Sequence, residues 1–92
     1  MNIGNLNELK RDDKLIIRKL GDSYYLIIGE SAYEANEIGA TIVNATGKDL
    51  SVDDLVVKIS EKYSFGDMNQ IREDVVKYIE FLVSEGILIS CE

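Results

Sequence analysis

An α+β fold is predicted by this sequence, with a small antiparallel sheet of three strands followed by three helices. Three observations predict it. Tyr24 to Ile28 is an unbroken apolar run of strand length, set between Gly21-Asp22 and Gly29-Glu30-Ser31. The hydrophobic spacing changes at Asn36, after which Ile38, Thr41, Ile42 and Ala45 fall at i, i+3, i+4 and i+7. From there to Glu85 the apolar positions keep a helical period, broken only where glycines stand.

Each element has its own signal. Residues 1–13 are polar and irregular, and this segment is expected to be poorly ordered, with Leu6 and Leu9 packing at most locally. Residues 14–92 form a single domain. KLIIRKL, residues 14–20, is rich in Ile and Leu and reads as the first strand. The short turn at Gly21-Asp22 pairs it as a hairpin with the second strand, residues 23–28. That strand is apolar at nearly every position, which suits the middle of a sheet. The third strand, residues 32–35, is short, carries Glu34, and belongs on an edge.

Asn36 is the expected N-cap of the first helix, 37–45, because its side-chain oxygen can accept a free N–H of the first turn. Gly47 is a helix-stop glycine. Ser51 opens the second helix, 52–63, with Asp54 placed as in a capping box, and Val52, Leu55, Val56, Ile59 and Tyr63 form its stripe. Ser64-Phe65-Gly66 breaks it. Asp67 starts the third helix, 68–85, which stops at Gly86, and Ile87-Leu88-Ile89 can lie back on the sheet.

The third helix carries more apolar surface than one contact requires. At ~100° per residue, Ile71, Val75, Tyr78, Ile79 and Leu82 form one stripe, Val76 and Val83 widen one flank, and Phe81 lies beyond the other. The arc reaches roughly 160°, against ~100° for a helix facing a single core. Either the helix is wedged between the sheet and the second helix, or one flank lines a groove for a partner.

Composition excludes several function classes. The chain has 92 residues, enough for one modest core, and at 46% hydrophobic and 29% charged it is globular. A net charge of −7 opposes binding to nucleic acid or an anionic membrane. There is no signal-peptide core in the first residues and no apolar run of bilayer length. A lone cysteine, Cys91, fits a reducing cytoplasm.

Chemistry is equally sparse. The absence of histidine removes the commonest general base and metal ligand. The acidic pairs Asp12-Asp13, Asp53-Asp54 and Glu73-Asp74 are sequence neighbours, and on a helix neighbours point ~100° apart, so they read as solvated faces and helix-start charges. No glycine-rich phosphate loop follows a strand. The residues supply no catalytic set, no metal site and no cofactor site. Binding remains, and the third strand is an open edge able to accept an extended peptide, unless the N-terminal segment caps it.

The stretch from Tyr24, YYLIIGESAYEANEIGATIV, resembles the strand–strand–helix signature of the PqqD-like family, the precursor-peptide recognition elements of ribosomally made, modified peptides (RiPPs). Asn36-Glu37 followed by Gly39-Ala40 and Ile42 matches the family pattern. Gly47 with LSVDDLVVKISEKY matches its glycine turn and second helix, and DVVKYIEFLVSEGIL its third helix and close. The similarity covers roughly residues 14–89. Two positions depart from it: Ala35 stands where the family usually has Leu, and Thr46 where Asp is common.

The resemblance implies a winged-helix-like fold and a function. A leader peptide adds as a strand against the third strand and third helix and is presented to a tailoring enzyme, such as a radical SAM enzyme or a leader peptidase, on a separate chain. The peptide-binding residues are then expected to be Ser31, Ala32, Tyr33, Glu34 and Ala35 from the strand, and Ile71, Arg72, Val75, Val76 and Ile79 from the helix. Arg72 and Lys77 are placed to attract leader acids at the rim. Two alternatives stand beside this one. A winged-helix nucleic-acid-binding regulator would need exposed basic residues on the third helix, which offers only Arg72 and Lys77 among several acids. A dimeric adaptor would use the same edge for itself, whereas the recognition element is expected to be a monomer or weak dimer.

Overall fold

The computed structural model describes residues 3–63 and 67–91. The predicted helix break at Ser64-Phe65-Gly66 lies outside the described residues. Five strands and three helices follow in the order β1 (Leu9–Arg11), β2 (Ile16–Leu20), β3 (Ser23–Ile28), β4 (Ser31–Ala35), α1 (Glu37–Ala45), α2 (Val52–Tyr63), α3 (Met68–Ser84) and β5 (Leu88–Ser90). Strands β2, β3 and β4 form the predicted antiparallel sheet with β3 in the middle. All three helices follow it, as an α+β fold requires.

Two-residue turns set the sheet's register. Ile28 pairs with Ser31 across Gly29-Glu30, and Leu20 with Ser23 across Gly21-Asp22. Gly21 and Gly29 have φ of 62° and 58°. A positive φ at the first turn position gives the primed hairpin turns, whose twist matches that of the flanking strands. The register aligns Ile17, Leu26 and Tyr33 in one row facing the helices, and Ile16, Ile27 and Ala32 in the next row on the outer face. Leu26 is fully buried at the centre of the inner face, while Ile16 is half exposed.

The helices start and stop where their capping chemistry stands. Asn36 Oδ1 accepts the Gly39 N–H at 2.8 Å, Ser51 Oγ accepts the Asp54 N–H at 3.0 Å, and Asp67 Oδ1 accepts the Asn69 N–H at 2.9 Å. Gly86, at φ 77°, ends α3. Its N–H bonds Val83 O, and the Ile87 N–H bonds Leu82 O, which satisfies two end carbonyls and turns the buried Ile87 back into the core.

The N-terminal segment departs from expectation. In place of a poorly ordered tail, residues 3–11 form a clasp. A 3-10 turn at Leu6–Glu8 leads into β1, which pairs with β5 as a separate two-stranded ribbon. Leu6 and Leu9 are 0% and 1% exposed. Backbone bonds run from Leu6 N to Leu50 O and from Gly47 N to Leu6 O, each at 2.8 Å, and from Cys91 N to Glu8 O at 2.7 Å. The clasp therefore ties the α1–α2 loop to the C-terminus. It also claims β5, so the apolar exit Ile87-Leu88-Ile89, which could have lain back on the three-stranded sheet, pairs with β1 instead. Among the described residues, neither terminal segment pairs with β4.

Candidate functional site: an open edge beside an apolar cavity

The site is built from β4 outward. In a two-residue hairpin the residues flanking the turn form the hydrogen-bonded pair, and hydrogen-bonded and open pairs then alternate. Ser31, Tyr33 and Ala35 therefore turn their N–H and C=O groups to β3, whereas Ala32 and Glu34 turn theirs outward. Among the described residues, no backbone bond outside the sheet engages residues 31–34. The opposite edge, β2, is defended differently, since Arg18 and Lys19 stand on it and charged side chains blunt an edge.

Side chains of β4 alternate with the same period. Tyr33 and Ala35 point toward α3, and Ala32 and Glu34 lie on the outer face. Tyr33 sits edge-on to Phe81, with ring centroids 6.0 Å apart and an interplanar angle of 83°. Its hydroxyl donates to Glu85 Oε2 at 3.0 Å. Tyr78 stacks on Phe81 at 6.2 Å. These three rings close the groove at the end near the β3–β4 turn.

At the other end the groove opens into a cavity of about 510 Å³. Ala35, Ile38, Gly39 and Ile42 line it from one side and Ile71, Val75 and Tyr78 from the other, with Glu34, Asp67 and Asp74 also lining it. Two small residues give it depth. Ala35 projects a single methyl group. A Cβ on Gly39 would stand 2.8 Å from the Tyr78 hydroxyl and 3.1 Å from its Cζ, so a side chain here displaces that ring. The Tyr78 hydroxyl has no hydrogen-bond partner among the described residues, and burial raises its pKa.

Helix geometry decides which residues of α3 share this face. Asp67, Gln70, Ile71, Asp74, Val75 and Tyr78 follow i, i+3, i+4, i+7, i+8, i+11, a single stripe, and Phe81 and Glu85 extend it. The sequence-predicted set is thereby split. Ile71 and Val75 line the cavity, and Ile79 is buried in the core. The Arg72 guanidinium pairs with Asp53 of α2, on the flank away from β4. Val76, one turn on from Arg72, lies on that same flank and packs against the core. Lys77 pairs with Glu73 at 2.9 Å, so neither cation of α3 stands at the cavity rim. The wide apolar arc turns one flank to α2 and the other to β4 and the cavity.

The groove flank was legible only in part. Tyr78 belongs to the predicted core stripe, and Phe81 was placed beyond the far flank, which is the flank that meets β4. Gly39 gave a signal, being a small residue on the buried face of a helix. The acids Asp67 and Asp74 gave none beyond ordinary helix charges.

The two tyrosines carry a pH signature. The hydrogen bond to Glu85 raises the Tyr33 pKa, helped by desolvation and the Glu85 charge. A group whose folded pKa is raised holds its proton more tightly in the fold. Its contribution is complete below the unfolded phenol value of about 10 and is lost as pH rises through the folded value. The melting temperature is therefore expected to fall as pH climbs beyond about 10. In a series of melts the fall should be shallower for Tyr33→Phe and for Tyr78→Phe, and an unchanged slope in both would contradict the assignment.

No curated protein matches the chain. Among solved structures, TbiB1 in complex with the TbiA(beta) leader peptide has this fold, with a TM-score of 0.70 at 19% identity, covering 86% of this chain and 93% of that one. The model of the family described as coenzyme PQQ synthesis protein D, PqqD, matches residues 23–88. That span runs from the start of β3 to the first residue of β5 and contains the open edge, the cavity and all three helices, so the chain belongs to the PqqD family.

Proposed function

We propose that this protein binds the leader segment of a ribosomally made precursor peptide as a fourth strand on β4, and presents it to a separate tailoring enzyme such as a radical SAM enzyme or a leader peptidase. The observation that carries this reading is the open β4 edge lying beside an apolar cavity. Strand addition draws affinity from main-chain bonds and specificity from pockets for alternate side chains. Ala32 and Glu34 offer the bonds. Ala35, Ile71, Val75 and Tyr78 offer the pocket, seated for an apolar leader side chain that faces α3. Family membership supports the reading, as does a fold neighbour solved with a leader peptide. A nucleic-acid role finds no such support, because both cations of α3 are paired with acids.

Hydrogen exchange tests this directly. The leader of a precursor encoded beside this protein is the probe. Binding should slow exchange of the Ala32 and Glu34 amides, which are open to water in the free chain, while the Tyr33 amide, already bonded to β3, changes far less. Protection that spares both Ala32 and Glu34 would place the leader elsewhere.

A further inference from the structure

The chain has a strongly uneven charge pattern around its groove. Asp67 and Asp74 stand at the cavity, Glu34 borders it from the β4 edge with its side chain on the outer face of the sheet, and among the described residues no Lys or Arg lines it. All three are exposed. Asp74 Oδ1 accepts a hydrogen bond from the Gln70 amide at 2.9 Å, and Asp67 caps α3, but neither contact brings a positive charge. Arg72 is paired with Asp53, Lys77 with Glu73 and Lys62 with Glu37, and Arg18 stands two strands from Glu34 in its outer-face row, across Tyr25. The cavity and the edge make the site, and the carboxylates set the sign of what fits it.

Resting on the strand-addition reading, we propose that the groove selects a cationic leader, one in which the apolar residue filling the cavity is directly adjacent to Lys or Arg. Strand geometry supplies the position. A leader strand paired with β4 places one residue opposite Glu34, on the outer face of the sheet where the Glu34 side chain lies. The next residue along the leader faces the helices, beside Ala35, where the cavity opens. The residue opposite Glu34 is therefore the immediate neighbour of the cavity residue, and a cation there meets a carboxylate across the strands. A second cation two residues from the first would again lie on the outer face. One placed two residues from the cavity residue faces α3 and meets Asp74 or Asp67. A leader acid at either position meets a carboxylate in a protein whose net charge is already −7.

Selection from a displayed library of random dodecapeptides against the full chain tests this at low salt. The peptides recovered should carry a large apolar residue with Lys or Arg next to it. Exchanging that cation for Gln in a recovered peptide should weaken binding about three- to tenfold, within the range of one or two exposed ion pairs. The loss should shrink at ~1 M salt, where screening is nearly complete. Glu34→Gln with Asp74→Asn should erase the preference for the cation, while Glu73→Gln, which removes a charge from another face of α3, should leave it. Recovered peptides that share an apolar residue and protect the Ala32 and Glu34 amides, but show no basic neighbour or prefer acids, would overturn the charge assignment and leave strand addition standing. Peptides that bind without protecting those amides, or a chain that recovers none, would overturn strand addition and this assignment with it.

Discussion

Leu6→Ala combined with Leu9→Ala is expected to leave the domain largely unfolded at room temperature. Both side chains are fully enclosed in the main core, Leu6 beneath the α1–α2 loop and Leu9 against β5. Truncating a buried leucine costs about 2–5 kcal/mol, from lost transfer energy and the cavity left behind. A domain of this size holds only about 5–14 kcal/mol in total, at 0.05–0.15 per residue. The two changes together therefore approach the whole stability. Each alone should lower the melting temperature by roughly 8–40 °C, at about 4–8 °C per kcal/mol for a small domain. Circular dichroism melts of the two single variants and the double variant measure this. A double variant that melts within a few degrees of the parent would show the clasp to be an ornament on an independent fold.

Proline at the β4 edge is expected to separate binding from folding within two adjacent residues. The N–H of Glu34 points outward, so Glu34→Pro removes a donor that the sheet does not use. Edge strands tolerate proline in that orientation, and the fold should survive with a modest loss of stability. A leader carbonyl then loses its partner, and an unsatisfied buried acceptor costs about 1–3 kcal/mol. Affinity should drop about tenfold or more in titration calorimetry. Glu34→Gln, measured beside it, subtracts the part owed to the carboxylate. Tyr33→Pro should behave in the opposite way. It removes a bond to β3, the edge-on contact with Phe81 and the hydroxyl bond to Glu85, so the melting temperature falls first. Equal binding by parent and folded Glu34→Pro would remove β4 as the docking edge.

Most of the architecture was written in local chemistry. Gly21 and Gly29 mark tight turns because their positions need a positive φ, and that fixes the register of both hairpins. Asn36, Ser51 and Asp67 announce helix starts through bonds to nearby amides, none reaching more than three residues along the chain. The period change at Asn36 needs no knowledge of the rest of the fold. For the same reason the open edge could be read early. A short strand between a turn and a helix cap has few ways to be covered, and the resemblance to the PqqD-like family pointed to the same strand.

What the sequence left undecided depended on contacts between distant residues. Leu6 and Leu9 sit in a polar segment with no period, and only the arrival of Leu50, Gly47 and β5 around them makes that segment core. The apolar arc of α3 was wider than one contact requires, which left open whether a flank faced a second element or a groove, and a helix read alone is symmetric about its stripe. Which flank met β4 was decided by the side on which α2 packed, and Arg72 went with α2 because Asp53 was waiting there. The cavity is likewise a product of assembly. Ala35, Gly39 and Tyr78 come from three different elements, and the space between them exists only where a methyl group and a bare backbone face a ring across the groove. Periodicity along one segment determines what that segment becomes; the void beside the open edge and the charges around it arise between segments, where only tertiary packing sets the distances.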